Sequence, residues 1–407
     1  MTIGRGGVGA VLHISHNGLT EALGRRQVLP YLLGLGARGW RVTILSFEKA
    51  ETATPEAVAR VEDVTREAGL RWKPIRYHGR PPVVATAFDI LNGCQHACGP
   101  ARNVDLIHAR STVPAVMAGM LSARYGTPWI FDLRGLLAQE YVDAGYWPRG
   151  GVRDRVTAAA EARLLRSADG LVTLTRKILD RLPGRECCRP DRPTTVIPCS
   201  VDLGVFRPSE EWRRDVRGDL GWGDEPVLVY SGSLGSWYLL DEMLDFFEAA
   251  QKDIVGLRFL LLTPHATLAG QRVRSRHLSG DVIVRSLPPD AVPRYLAAGD
   301  VGICFLGRHA SKEASSPTKY GEYLAAGLPV VTNSWIGDAH DLAAEPTWLL
   351  VEAFNPDNYH NAARGLARLL AEPNATRLGA RDLARREFAL DTATDRYHDL
   401  YMKVLGR

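Results

Sequence analysis

The chain has 407 residues, of which 45% are hydrophobic and 24% charged, with a formal net charge of +4. This is the balance of a globular protein of two or three domains, with a core large enough to need no disulfide or metal staple. So mild a positive charge excludes a dedicated nucleic-acid binder, and it suits an anionic ligand or transient contact with an acidic membrane surface.

The N-terminal run MTIGRGGVGAVLHIS is too interrupted for a signal peptide. No window approaches the ~20 apolar residues of a membrane span. The expectation is a cytoplasmic protein, peripheral at the membrane inner face at most. Six cysteines (Cys94, Cys98, Cys187, Cys188, Cys199 and Cys304) form no zinc framework with a matching second half, and are expected as thiols in a reducing compartment.

In chain order, the apolar runs predict strands over 9–15, 41–47, 71–75, 106–109, 129–133 and 170–174. Helical patterns over 23–35, 55–68, 113–124 and 153–166 lie between them. Runs such as VTIL and WIFDL are continuous rather than alternating, as expected of strands buried on both faces of a parallel sheet. The stretch 183–198 reads as a linker. The pattern then restarts with VLVYSG, FLLLT, VIVRSL, VGICFL, PVVTN and WLLV. The tail over 392–405 is helical, with Tyr397, Leu400, Tyr401 and Val404 on one packing face. The expected fold is therefore α/β, two doubly wound Rossmann-like domains facing each other, with a site at the strand ends. The predicted domains are 1–205, 206–385 and a C-terminal helix, 386–407, packing back across the junction.

The segment 315–331, SSPTKYGEYLAAGLPVV, carries the most chemistry. Ser315 or Ser316 is expected to cap a helix from Thr318 to Ala326 that stops at Gly327. Free amides and the positive dipole end at such a junction suit a diphosphate. Lys319 places a cation in the first turn, where the dipole disfavours it, a cost that an anion would offset. Glu322, at i+3 from Lys319, points the same way, and a carboxylate accepts both hydroxyls of a ribose. From these two residues alone, a surface Lys–Glu pair is the better reading.

The whole phrase resembles the donor-site signature of retaining glycosyltransferases of family 4, which have the GT-B fold. VLHISHNGLTEALGRR, DLIHARS, ADGLVTLT, VIPCSVDLGVFRP, LVYSGSLGSWY and VPRYLAAGDVGICFL follow in the family's order, so the resemblance spans nearly the whole chain. It implies that Glu322 holds the donor ribose and that the amides of Thr318 and Lys319, with Ser316 nearby, reach the donor phosphates. It also implies that Gly18 lets the backbone of the N-terminal domain approach the diphosphate, and that Gly232 and Ser233 lie in the donor-domain loop. Leu287 would contact the base through its backbone.

Two departures stand out. The loop GSLGSWY lacks the Arg and Lys usual there, and the family's first carboxylate falls at Ala314, with Glu313 out of register. The family's histidine after the fifth strand is replaced by Arg134, with Asp132 two residues before it. His108 and Arg110 end the preceding strand and are expected to face the cleft. Lys319, Arg134, Asp132 and His108 are thus the catalytic candidates.

The resemblance implies transfer from a nucleoside-diphosphate sugar to a hydroxyl acceptor with retention, without metal or other cofactor. Positioning and stabilisation of the leaving diphosphate would do the work. A catalytically silent sugar-nucleotide-binding partner and a sugar-nucleotide 2-epimerase are the alternatives; a dehydrogenase is disfavoured by the absence of a clean GxGxxG. Acceptor choice is assigned to loops 16–25, 76–90 and 134–152. The base, sugar, acceptor and oligomeric state are not specified by the sequence.

Overall fold

The computed structural model describes residues 7–182, 189, 191–235 and 237–407. Thirteen strands are found among them. Seven form the first sheet: β1 (Gly9–Ser15), β2 (Trp40–Glu48), β3 (Arg71–Arg76), β4 (Leu106–Arg110), β5 (Trp129–Leu133), β6 (Gly170–Thr173) and β7 (Thr194–Val196). Their order is β3-β2-β1-β4-β5-β6-β7. Six form the second: β8 (Val227–Ser231), β9 (Arg258–Leu262), β10 (Val282–Arg285), β11 (Val301–Cys304), β12 (Val330–Asn333) and β13 (Trp348–Val351). Their order is β10-β9-β8-β11-β12-β13. Every ladder is parallel; Val11, for example, lies opposite Val42 on one side and Leu106 on the other.

Both faces of each sheet are covered by helices, which is why the strands are apolar throughout rather than alternating. In the second sheet Val227, Val229 and Leu260 feed one apolar cluster. Their neighbours Leu228, Tyr230 and Phe259 feed another on the opposite face. Each sheet has a point where the chain order reverses, between β1 and β4 and between β8 and β11, where doubly wound folds place ligands.

The chain divides into two units, the residues up to Pro198 together with Ala393–Arg407, and Cys199–Thr392. The division falls at 198/199 rather than near 205. The C-terminal helix Leu390–Val404 is not a separate element, because from Ala393 it belongs to the first unit. Tyr397, Leu400 and Tyr401 are its buried face.

Three local expectations differ. The helix expected over 23–35 is two, Ala22–Gln27 and Leu29–Ala37, broken where Pro30 has no N–H to continue the ladder. The stretch read as a linker contains β7, which pairs with β6; Cys187 and Cys188 lie outside the described residues. The segment expected as an acceptor loop over 76–90 runs into a 20-residue helix, Pro82–Ala101.

Candidate functional site

In the second unit the site is built around the reversal between β8 and β11. Their pairing ends at Gly302↔Val229. The amide of Ser231 instead donates to the Tyr323 hydroxyl at 2.8 Å, which in turn donates to the Ile303 carbonyl at 3.3 Å. Tyr323 thereby clamps the helix Thr318–Ala325 to both strands. Its ring occupies the space of a missing side chain at Gly302, where a Cβ would lie 2.2 Å from it. Tyr320 pins the same helix to β12 through the Thr332 hydroxyl at 2.7 Å. Every residue from Lys319 to Ala325 is buried.

The helix has Pro317 as its N-cap and no side chain caps it. The expected serine cap is not made. The Ser316 hydroxyl instead accepts from the Cys199 amide at 3.2 Å, and the Ser315 hydroxyl donates to the Ser311 carbonyl. The first-turn amides of Thr318 and Lys319 therefore keep the donor capacity that an anion would use. Gly327, at φ +82, ends the helix as expected.

Lys319 reaches from this first turn to Gly232, the residue after β8. A Cβ at Gly232 would stand 2.5 Å from Nζ and 2.7 Å from Cε, and the backbone there has φ +141. The positive φ favours glycine, and any side chain there would push the ammonium aside. The ammonium lies 3.6 Å from the centroid of the Tyr238 ring and 5.3 Å from that of Tyr230. Burial pulls the Lys319 pKa down, but the facing Tyr238 and Cys304, the hydrogen bond to Tyr238 and the charge of Glu322 together hold it above the ordinary lysine value. Burial pushes the Cys304 thiol up to about 12, so it stays neutral. Lys319 is thus a buried, fully charged ammonium, with no carboxylate in salt-bridge range among the described residues. Glu322, one turn on, is 7% exposed.

The GSLGSWY loop has no basic residue of its own, yet it receives two lysines. Lys312, from the segment before the helix, stands 4.4 Å over the Trp237 ring, as Lys319 does over Tyr238. Isolated bridges from Tyr238 to Gly235 and to Leu306 fix the loop's shape. Ser233 is exposed, and its carbonyl accepts from the Tyr230 hydroxyl. Leu287 lies beyond β10, with its side chain packed on the core, so its backbone is what it offers.

In the first unit the loop after β1 is shaped by a carboxylate that the sequence reading missed. Glu48, ending β2, accepts from the amides of Leu19 (2.8 Å) and Thr20 (3.0 Å) and from the hydroxyls of Thr20 and Ser46, both at 2.6 Å. The Gly18 amide donates to Glu21 at 3.0 Å, and a Cβ at Gly18 would lie 2.5 Å from Glu48 Oε2. Gly18 therefore has a local reason to be glycine, and its amide is already engaged. Glu21 also pairs with Lys49 at 2.7 Å.

His108 and Asp132 were expected at open strand ends, and here the structure corrects the reading. They are 2% and 0% exposed. Asp132 Oδ2 faces His108 Nε2 (3.3 Å), Arg110 (3.2 Å) and the Tyr397 hydroxyl (3.0 Å), while Oδ1 faces Arg134 Nε at 3.0 Å. His108 Nδ1 meets the Tyr401 hydroxyl at 2.5 Å. Arg134 also donates to Tyr397 at 2.9 Å. Burial would raise the Asp132 pKa, but Arg134, the His108 hydrogen bond and Arg110 outweigh it and hold it far below the usual carboxylate range. This is a buried, ion-paired cluster beneath the C-terminal helix, whose tyrosines are distant in sequence, so β4 and β5 alone could not reveal it. Beside it, between β4 and the following helix, Ser111 adopts φ 74, ψ 172, a conformation rare outside glycine. It stands at the first sheet's reversal point and had no sequence signal.

The described residues contain no group of three or more His, Cys, Asp or Glu placed to hold a metal ion, and no helix is long and apolar enough to cross a membrane.

Solved structures share this fold across almost the whole chain. Anabaena Alr3699/HepE in complex with UDP aligns with a TM-score of 0.70 at 14% identity, covering 97% of this chain and 100% of that one. A glycosyltransferase from Rickettsia africae aligns at 0.71 and 14%, covering 97% and 98%. WaaG, a glycosyltransferase involved in lipopolysaccharide biosynthesis, aligns at 0.68 and 16%, covering 96% and 99%. The two doubly wound sheets thus share the GT-B fold of these structures. Residues 24–200 match the model of the glycosyl transferase 4-like domain. A D-inositol 3-phosphate glycosyltransferase of Catenulispora acidiphila is 26% identical over 322 residues, 74% of this chain and 72% of that protein. The chain is thus similar to glycosyltransferases of this type, in fold over nearly its whole length and in sequence to the glycosyl transferase 4-like domain over residues 24–200.

Proposed function

We propose that this glycosyltransferase moves a sugar from a nucleoside-diphosphate sugar to a hydroxyl acceptor, with retention at the anomeric carbon and without a metal ion. The observation that carries the donor half is the placement of Lys319 Nζ against Gly232 at the β8–β11 reversal. A buried ammonium beside uncapped helix amides is preorganised for the charge that develops on a departing diphosphate. Lys312 adds a second cation at the same loop, which would compensate for its missing basic pair. Glu322 would hold the ribose, with Thr318, Gly232, Ser233 and Ser316 around the phosphates and the Leu287 backbone at the base.

The leaving diphosphate would take the acceptor proton on the same face, so the protein supplies position and charge rather than a paired acid and base. Arg134 keeps a positioning role, held by Asp132 and Tyr397. Asp132 and His108 act behind it. The first unit would take the acceptor, with Gly18 and its Glu48-shaped loop at the reversal between β1 and β4. The vacancy at Ala314, a buried residue, favours one alternative, a silent sugar-nucleotide-binding partner.

The test is product formation with a panel of nucleoside-diphosphate sugars, for the wild type and Lys319→Ala. Turnover lost by about 100-fold or more in the variant supports the reading. Tight donor binding with neither transfer nor hydrolysis would establish the silent partner instead. The anomeric configuration of the product, read by NMR, tests retention. A reversible loss of activity on chelation would overturn metal independence.

A further inference from the structure

The helix Pro82–Ala101 is inside out. Its buried stripe is Ala85, Asp89, Gly93, Ala97 and Ala101, small residues and one acid. Four large apolar side chains face outward, with Val83 60% exposed, Val84 65%, Phe88 51% and Leu91 64%, and Ile90 is half-buried. At a helical repeat of 100° per residue, Val84, Phe88 and Leu91 lie within one narrow stripe.

The rotation that exposes them is fixed from inside. The Asp89 carboxylate, fully buried, meets His78 Nδ1 at 2.6 Å and the His78 amide at 3.1 Å, with His16 Nε2 at 3.6 Å. A turn later Gly93 is pressed onto the core, where a Cβ would lie 2.7 Å from Met117 Sδ and 2.9 Å from Phe47 Cζ. Turning the apolar stripe inward would break the Asp89 clasp and bring large side chains to where even a Cβ has no room. The exposed stripe is therefore held outward by the packing, a feature that needs an occupant.

The surrounding charge says which. Asp89 is the sole acidic residue between Arg71 and Asn103, and it is buried. Lys73 and Arg76 are exposed on the edge strand β3, and Arg80 is exposed just before the helix. The Lys73 ammonium reaches the His96 carbonyl of the helix at 3.4 Å, which places this basic edge along it. Every exposed charge from Arg71 to Asn103 is therefore basic, and an apolar stripe beside such a basic edge is the chemistry of an amphipathic helix lying in an anionic bilayer surface.

We propose that the Pro82–Ala101 helix and the β3 edge dock this protein onto anionic lipid. This does not depend on the donor reading, since it concerns a different face of the first unit alone. The full chain is sedimented with vesicles of equimolar phosphatidylcholine and phosphatidylglycerol, and with phosphatidylcholine alone. Binding to the anionic vesicles is expected, falling steeply with salt. It should fall at least about tenfold in Phe88→Ser with Leu91→Ser, and remain unchanged in Leu378→Ser, which alters an exposed leucine of the second unit. Phe88→Trp reports insertion directly, through quenching by brominated lipid, should the double variant fail to fold. Failure of the wild type to bind anionic vesicles overturns the proposal, as does undiminished binding of the folded double variant. A dimer in sedimentation velocity that the double variant abolishes would give the face to a second copy of the chain, and would overturn it too.

Discussion

Replacing Gly232 by alanine would test the placement of Lys319 most sharply. The new Cβ would stand 2.5 Å from Nζ and 2.7 Å from Cε, distances that cannot be sustained. It would also be held at φ +141. Two costs are therefore mixed, backbone strain of about 1–3 kcal/mol and displacement of the ammonium. Gly235 separates them. It has φ +124, yet a Cβ there meets nothing within 4 Å. Gly235→Ala should show a similar order of strain, read as a lowered thermal midpoint, with less than about a tenfold loss in kcat/KM for the donor. Gly232→Ala should lose about 100- to 1,000-fold, the size of effect seen when one preorganised charge-stabilising donor is removed. A double-mutant cycle with Lys319→Ala completes the test, because without the lysine the clash disappears and the two losses should not add. Donor titration and steady-state kinetics on the wild type and the four variants give the result. Equal losses for the two glycine variants, or full additivity with Lys319→Ala, would refute the assigned role of Lys319.

Glu322→Gln should raise the donor KM by about 10- to 100-fold, the value of a charged hydrogen bond, with a smaller change in kcat, and an unchanged KM would remove Glu322 from the ribose. Tyr397→Phe deletes a hydroxyl shared by Asp132 and Arg134, and should cost about 1–3 kcal/mol by urea denaturation; a neutral effect would mean the cluster does not need it. His13 and His108 both have pKa values below the ordinary 6.5, His13 well below, chiefly because burial disfavours the charged ring. The unfolded chain therefore binds more protons as pH falls below about 6.5, and stability should fall there, with a further loss below about 4 as the Asp132 contribution is withdrawn. The His13 nitrogens have no hydrogen-bond partner among the described residues, so His13→Leu should flatten the first part of the thermal-midpoint profile. An identical profile in the variant would refute the assignment.

Strand periodicity was read almost residue for residue, as at Gly9–Ser15, Trp129–Leu133 and Trp348–Val351. A strand buried on both faces leaves a continuous apolar run in the sequence. The stop at Gly327 was equally local, because one residue supplies the positive φ. The serine cap was not, since Ser316 turned to the Cys199 amide, 117 residues away in sequence. The twenty-residue helix from Pro82 was read as a loop in its first turns because its apolar residues face outward, so periodicity gave no inward stripe to find.

The candidate site divides along the same line. Lys319, Gly232 and Glu322 could be named from 315–331 and from the loop after β8, because each motif lies within one short stretch. That the ammonium fills the space of a missing Cβ in the loop after β8 required the tertiary structure. His108 and Asp132 looked like open strand ends for want of Tyr397 and Tyr401, which lie on the last helix. Glu48 was silent because its partners are amides of a loop some thirty residues earlier. The sequence by itself determined the two doubly wound sheets, since hydrophobic period and local turn chemistry act over a few residues. Only the tertiary structure decided which charges are open and which are buried against partners, because burial depends on contacts between segments far apart in the chain.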